Sequence, residues 1–147
     1  MTLGLKQAGF KVIGAVDIDS LSVETYRKNH KGVKVWETDI RDLSASEVKK
    51  TLDIRKGELD LLAGCPPCQG FSSMRTMNGG KRIEDPQNDL VFEFQRFVEE
   101  LKPKAVMMEN VPGLAEDWRM SELVKKLELL GYKCNYAVLN AADYGVP

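Results

Sequence analysis

Two thiols at C-x-x-C spacing lie in the run Gly64-Cys65-Pro66-Pro67-Cys68-Gln69-Gly70-Phe71-Ser72. A thiolate is a strong, polarisable nucleophile and also a metal ligand and a redox group, so the run offers three chemistries. A zinc site needs a second pair of ligands, yet Cys134 is distant and His30 is the only histidine. A thioredoxin-like dithiol leads into a helix, whereas Gln69-Gly70-Phe71-Ser72-Ser73 is a poor helix start. A single nucleophilic cysteine is the favoured reading, and a dithiol oxidoreductase is its alternative. Two prolines stiffen the backbone between the thiols, because each fixes its own φ and biases the preceding residue away from helix. A nucleophile gains from a rigid mount.

That mount must come from the elements around it. Leu59-Asp60-Leu61-Leu62-Ala63 reads as a buried strand, so the thiols fall at a strand's C-terminal end, where α/β folds place their ligands. Upstream, residues 2–8 read as the end of a helix stopped by Gly9, and Lys11 to Asp17 as a strand. Asp19 or Ser20 can cap a helix running to about Asn29, Val33 to Glu37 is a second strand, and Ser44-Ala45-Ser46-Glu47 is a capping box opening a helix to about Leu52. Residues 64–87 show no periodicity. Asn88 then caps a helix whose apolar stripe is Leu90, Val91, Phe94, Phe97, Val98 and Leu101, ended by Pro103. Ala105 to Met108 is a fourth strand, about Ser121 to Leu130 a further helix stopped by Gly131, and Tyr136 to Leu139 a fifth strand. Alternation at this spacing predicts an α/β fold: a mostly parallel sheet with helices on both faces, a three-layer, Rossmann-like arrangement in one domain over 1–147.

With 147 residues, 43% hydrophobic and 29% charged, the chain has the composition of an ordinary globular domain. It has no apolar run near the roughly 20 residues of a membrane span, and three cysteines are too few for a secreted disulfide framework. A reducing cytoplasm is expected. The net charge of −1 gives no global footprint for nucleic acid.

In nucleotide-binding α/β folds, an acid at a strand's C-terminal end bonds ribose hydroxyls. Asp17 sits where such a residue belongs, and Asp39, after the next strand, is similarly placed for an adenine edge. The bland alternative is that Asp17, Asp19 and Asp39 are helix caps and loop acids. Glu109 after the fourth strand could likewise be a structural acid, with Asn110 and Pro112 as turn formers. His30 reads as a helix C-terminal charge partner and Cys134 as core.

Four stretches, Gly64 to Ser72, Asp85-Pro86-Gln87-Asn88-Asp89-Leu90, Glu109-Asn110-Val111 and Asn140 to Pro147, together resemble the ordered motifs of the cytosine-C5 DNA methyltransferases. The resemblance spans nearly the whole chain. It implies a fold dependent on S-adenosylmethionine, double-stranded DNA as partner, no metal and no membrane, and DNA methylation of the restriction-modification kind. By matching position it implies Cys68 as the nucleophile on C6 of a flipped-out cytosine, with Cys65 a bystander in the same loop, and Glu109 as the acid at N3. It implies cofactor contacts at Asp17, Ile18, Asp39, Ile40, Pro66 and Leu90. Substrate contacts fall at Pro67, Gln69, Ser72, Arg75, Asn110 and Val111. The chemistry suits these residue types: cytosine is a poor electrophile that needs a thiolate, an acid at N3 needs desolvation to hold its proton near neutral pH, and a stacked base must be extruded. Residues 64–87, with Arg75, Lys81 and Arg82, suit a clamp over the extruded base and its phosphates.

The family's glycine-rich cofactor loop would precede Met1, and its next Gln and Arg residues and its target-recognition region would follow Pro147. The expectation is therefore a catalytic-domain fragment, incomplete at both ends, inactive by itself, with unpaired strand edges where a central strand is missing. A non-catalytic remnant, or one subunit of a split enzyme completed by another chain, is the alternative; an RNA methyltransferase of the same fold is a related one.

Overall fold

A computed structural model of the chain describes residues 1–67 and 89–146. The elements run α1 (Thr2–Gln7), β1 (Gly14–Asp17), α2 (Ser20–Asn29), β2 (Lys34–Glu37), α3 (Ala45–Leu52), β3 (Leu61–Gly64), α4 (Leu90–Leu101), β4 (Ala105–Met108) and α5 (Trp118–Leu129), with short 3-10 turns at Pro112–Glu116 and Ala141–Tyr144. The expected α/β alternation is present. β1 pairs with β2 and β3 with β4, both parallel, with Gly14 opposite Lys34 and Leu61 opposite Ala105. Among the described residues the sheet is thus two parallel pairs, with no hydrogen-bonded strand joining them.

Caps fix most of the helix starts. The Asp19 carboxylate accepts the Ser22 N–H at 2.7 Å, and the Ser44 hydroxyl accepts the Glu47 N–H at 3.1 Å. The Glu47 carboxylate also accepts the indole N–H of Trp36 at 3.0 Å, tying the α3 start to β2. α5 begins at Trp118 rather than at Ser121, because Asp117 accepts the Arg119 N–H and caps it there. Asn88 lies outside the described residues; the N-cap position of α4 is Asp89, whose side chain makes no cap bond and instead meets Arg119.

The Phe-rich stripe of α4 is core, as its spacing predicts. Phe97 and Leu101 pack with Leu43, Ala45 and Val48 beneath Val16 and Trp36. Val91, Phe94 and Val98 pack with Leu123 and Leu127 of α5 against Val106 and Met108, and Leu62 of β3 touches both clusters. Side chains alternate along a strand, so if Val16 and Trp36 face α3 and α4, Ala15 and the buried Val35 face the other way. α2 packs on β1 and β2 and buries Val23 completely, which gives helices on both faces.

One expected element is absent. Tyr136–Leu139 forms no strand among the described residues, and Tyr136, Val138 and Leu139 are 57, 69 and 66% exposed. The segment has strand-forming residues, but a strand exists only through a partner's hydrogen-bond ladder, and no described neighbour supplies one. Cys134 is half-buried against the second cluster, where burial, then Glu128, pushes its thiol up from the ordinary range. His30 caps the C-terminus of α2 and stacks edge-on against Tyr26, its Nδ1 3.4 Å from Lys6 Nζ.

Candidate active site

The register of β3 and β4 sets the first half of the site. Gly64 lies opposite Met108, and the ladder runs one step further, with the Glu109 N–H donating to the Gly64 carbonyl at 3.0 Å. Glu109 therefore leaves its strand beside Cys65, at the entrance to the Pro-Cys loop. The strand ends are also tied by a side chain. Asn110 Nδ2 donates to the Pro66 carbonyl at 3.0 Å while its Oδ1 accepts the Val111 N–H at 2.9 Å. Both ends of Asn110 are engaged within the protein, in a brace between the two loops. Val111 leads into the Pro112–Glu116 turn, anchored by the buried Leu114. Cys65, Pro67 and Glu109 are exposed, and Pro66 is half-buried. The enclosure expected around Glu109 is not supplied by the described residues. Cys68, Gln69, Ser72 and Arg75 lie outside them, as do Lys81 and Arg82.

The second half forms where β1 and β2 end. The Thr38 N–H donates to the Asp17 carbonyl at 3.1 Å, which draws the turn carrying Asp39 alongside the end of β1. Asp17 Oδ1 accepts the Asp19 N–H at 2.9 Å, and Asp39 Oδ1 accepts the Arg41 N–H at 2.9 Å. Each acid thus fixes its own turn, as the bland reading expects, while standing at the C-terminal end of a parallel strand, as the sharper one expects. Between them Ile18 is 67% exposed, unusual for its type, whereas the Ile40 side chain packs against the first core cluster. Leu90 opens α4 and is half-buried.

The profile of the C-5 cytosine-specific DNA methylase family matches residues 1–147. The chain belongs to that family. It is 35% identical to the Type II methyltransferase M.AgeI of Thalassovita gelatinovora over 98% of this chain and 33% of that protein. It is 37% identical to the Type II methyltransferase M.AquIA of Picosynechococcus sp. over 100% of this chain and 62% of that protein. A crystal structure assigned as a prophage-encoded DNA modification methyltransferase of E. coli superposes with a TM-score of 0.70 at 30% identity, covering 86% of this chain and 34% of that one. The chain spans about a third of the length of the first curated relatives it matches.

Within this methylase architecture, several supporting residues escape a reading by motif. Phe94 packs so closely on Gly64 that a Cβ there would lie 2.6 Å from its ring. Arg119, only 9% exposed, donates to Asp89 at 2.7 Å and to Asp117 at 3.2 Å, linking the N-termini of α4 and α5. Arg96 reaches across to the turn after β2. A glycine ending a strand is a sequence signal for close approach; partners some 30 residues apart or more leave none. A wide-open groove of about 650 Å³ beside α2, lined by Leu3, Leu21 and Tyr26 among others, includes neither Glu109 nor Asp39.

Asp39 illustrates the local electrostatics. The Arg41 side chain, then its backbone N–H, holds the Asp39 carboxyl down at about 2. The guanidinium contacts are Nε to Oδ1 at 3.0 Å and Nη2 to Oδ2 at 2.5 Å. The lowered value favours the folded state above the ordinary carboxylate range, and that contribution is lost as pH falls toward about 2. Carboxyl-carbon NMR should show Asp39 ionised at pH 3, and Arg41→Ala should return its midpoint toward the unperturbed 3.8. An unchanged midpoint in Arg41→Ala would contradict this assignment.

Proposed function

We propose that this chain supplies the catalytic machinery of a DNA (cytosine-5-)-methyltransferase. The observation that carries the reading is the β3–β4 register, which sets Glu109 beside the loop that leads to Cys68. In the reaction we infer, the Cys68 thiolate adds to C6 of an extruded cytosine while Glu109 gives a proton to N3. The electron pair of the C5–C6 bond then becomes available at C5. S-adenosylmethionine, when bound, supplies an electrophilic methyl group. Loss of the C5 proton to a base, expulsion of the Cys68 thiolate from C6 and return of the N3 proton to the Glu109 carboxylate restore the aromatic ring and the starting side chains.

The described residues fit the adenosine half of that cofactor. Asp17 and Asp39 stand where two paired parallel strands end, and the exposed apolar Ile18 follows the first of them. Asp17 suits the ribose hydroxyls, Ile18 the adenine face, and Asp39 with the Ile40 backbone the adenine edge, with Pro66 and Leu90 as further contacts. Pro67, Gln69, Ser72, Arg75 and Val111 are proposed to line the base. Asn110 acts by holding Pro66, because its side chain is already engaged. Double-stranded DNA is the proposed partner, in the cytoplasm. Among the described residues no helix is long and apolar enough to cross a membrane, and no group of His, Cys, Asp and Glu could hold a metal ion.

Covalent trapping tests the reading. DNA carrying 5-fluorocytosine, incubated with S-adenosylmethionine and the natural polypeptide that carries this chain, should yield a denaturation-resistant adduct. The fluorine cannot leave as the C5 proton does, so thiolate expulsion stalls. Cys68→Ser should abolish the adduct and Cys65→Ser should leave it; an adduct persisting in Cys68→Ser sinks the assignment.

A further inference from the structure

Arg96 on α4 has no part in the site as described, yet its guanidinium leaves its own helix. Nη2 donates to the Ile40 carbonyl at 2.8 Å and to the Leu43 carbonyl at 3.0 Å, acceptors 56 and 53 residues away in sequence. Nε is held by Glu93 at 2.7 Å and Nη1 by Glu100 at 3.5 Å, so the planar fork is oriented from both sides along the helix. The adjacent Phe97 is locked in the core, with the guanidinium carbon 4.6 Å from its ring centroid. The anchor is therefore rigid. Its target, residues 38–44, is a turn between β2 and α3 outside any helix or strand ladder, seated on the core through Ile40 and Leu43.

That turn carries Asp39 and Ile40. Arg41 fastens the Asp39 carboxylate to its own turn, and Arg96 fastens the turn to α4. The same helix begins at Leu90, so one rod joins the Asp39–Ile40 turn to another proposed cofactor contact. We propose that Arg96 is a positioning residue for S-adenosylmethionine, holding the Ile40 and Leu43 carbonyls so that the Asp39–Ile40 turn is preset to receive the adenine. The proposal rests on the reading of that turn as the adenine site. A lysine has one compact ammonium and cannot serve both carbonyls and both glutamates in a fixed plane, so Arg96→Lys should act as a partial replacement.

The test is equilibrium binding of S-adenosylmethionine by calorimetry, with cofactor KM, DNA KM and kcat, on the natural polypeptide that carries this chain. Losing charge-assisted bonds to two carbonyls should raise cofactor Kd and KM about tenfold in Arg96→Gln, with kcat at saturation and DNA KM within about twofold. Arg96→Lys should fall between, and it carries the test if Arg96→Gln does not fold. In an Asp39→Ala background, Arg96→Gln should add little, because both changes act through one turn. An unchanged cofactor Kd in the Arg96 variants beside a raised one in Asp39→Ala overturns the role of Arg96 alone. So does an equal loss in kcat and in affinity for both substrates. An unchanged Kd in Asp39→Ala overturns the adenine reading of the turn, and the proposal with it.

Discussion

Glu109→Gln is expected to slow methylation of double-stranded DNA by roughly 10²- to 10⁴-fold, the range over which a positioned general acid contributes. The substitution is nearly isosteric, and the backbone placement does not depend on the side chain: the Glu109 N–H bonds the Gly64 carbonyl, and the next residue bonds Pro66. A glutamine amide can still donate a hydrogen bond to N3 of cytosine, but it has no proton to give. Glu109→Ala removes both, so it should be slower still, and the gap between the two measures the hydrogen bond apart from proton transfer. Cofactor Kd should be unchanged in both, because Asp17 and Asp39 lie on the other strand pair and the nearer contact, Pro66, is held by Asn110 rather than by the Glu109 side chain. Single-turnover methyl transfer with labelled cofactor reads the rate. A Glu109→Gln rate within threefold of the natural one contradicts the role of this acid.

How much of this was legible in the chain depends on how local each cause is. Asp19 and Ser44 announce their helices because a cap acts over three residues, and both bond as expected. The stripe of α4 is legible because one face of a helix is a periodic pattern, and its five buried members form the centre of both core clusters. Tyr136–Leu139 shows the opposite case. Its residues favour a strand, but pairing is a property of two segments, and no described neighbour pairs with it. The α5 boundary departs from the apolar pattern because Asp117 caps the helix a turn before that pattern begins.

The site divides the same way. The strand-end positions of Asp17, Asp39 and Glu109 are legible because each acid follows a short apolar run, and the structure places them there; their proposed roles, and that of Cys68, rest on the order of the motifs. What supports them is not legible. Asn110 stands in a motif that suggested a substrate contact, and only the fold reveals that its amide spans to Pro66. Arg96, Arg119 and Phe94 look like ordinary helix residues, and their partners at Ile40, Asp89 and Gly64 are set by tertiary packing.

The contact between Phe94 and Gly64 carries the largest expected stability effect. Gly64→Ala should destabilise the fold by about 1–3 kcal/mol, the usual cost of overpacking, lowering Tm by about 2–4 °C per kcal/mol at this chain length. The glycine is needed for space rather than for backbone freedom: an added Cβ would sit 2.6 and 2.7 Å from two atoms of the Phe94 ring. That ring is only 9% exposed and is backed by Val91, Val98, Leu123 and Leu127, so it has nowhere to swing. The strand end must move instead, and with it the carbonyl that accepts the Glu109 N–H and the start of the Pro-Cys loop. Adduct formation should therefore slow more than the loss of folded protein explains. Shortening the ring relieves the clash, so Gly64→Ala should cost at least about 1 kcal/mol less in a Phe94→Leu background than in the natural one, a coupling typical of residues in contact. Urea denaturation of the four proteins in this cycle measures it. Strictly additive costs would mean that the glycine is required for some reason other than the aromatic ring pressed against it.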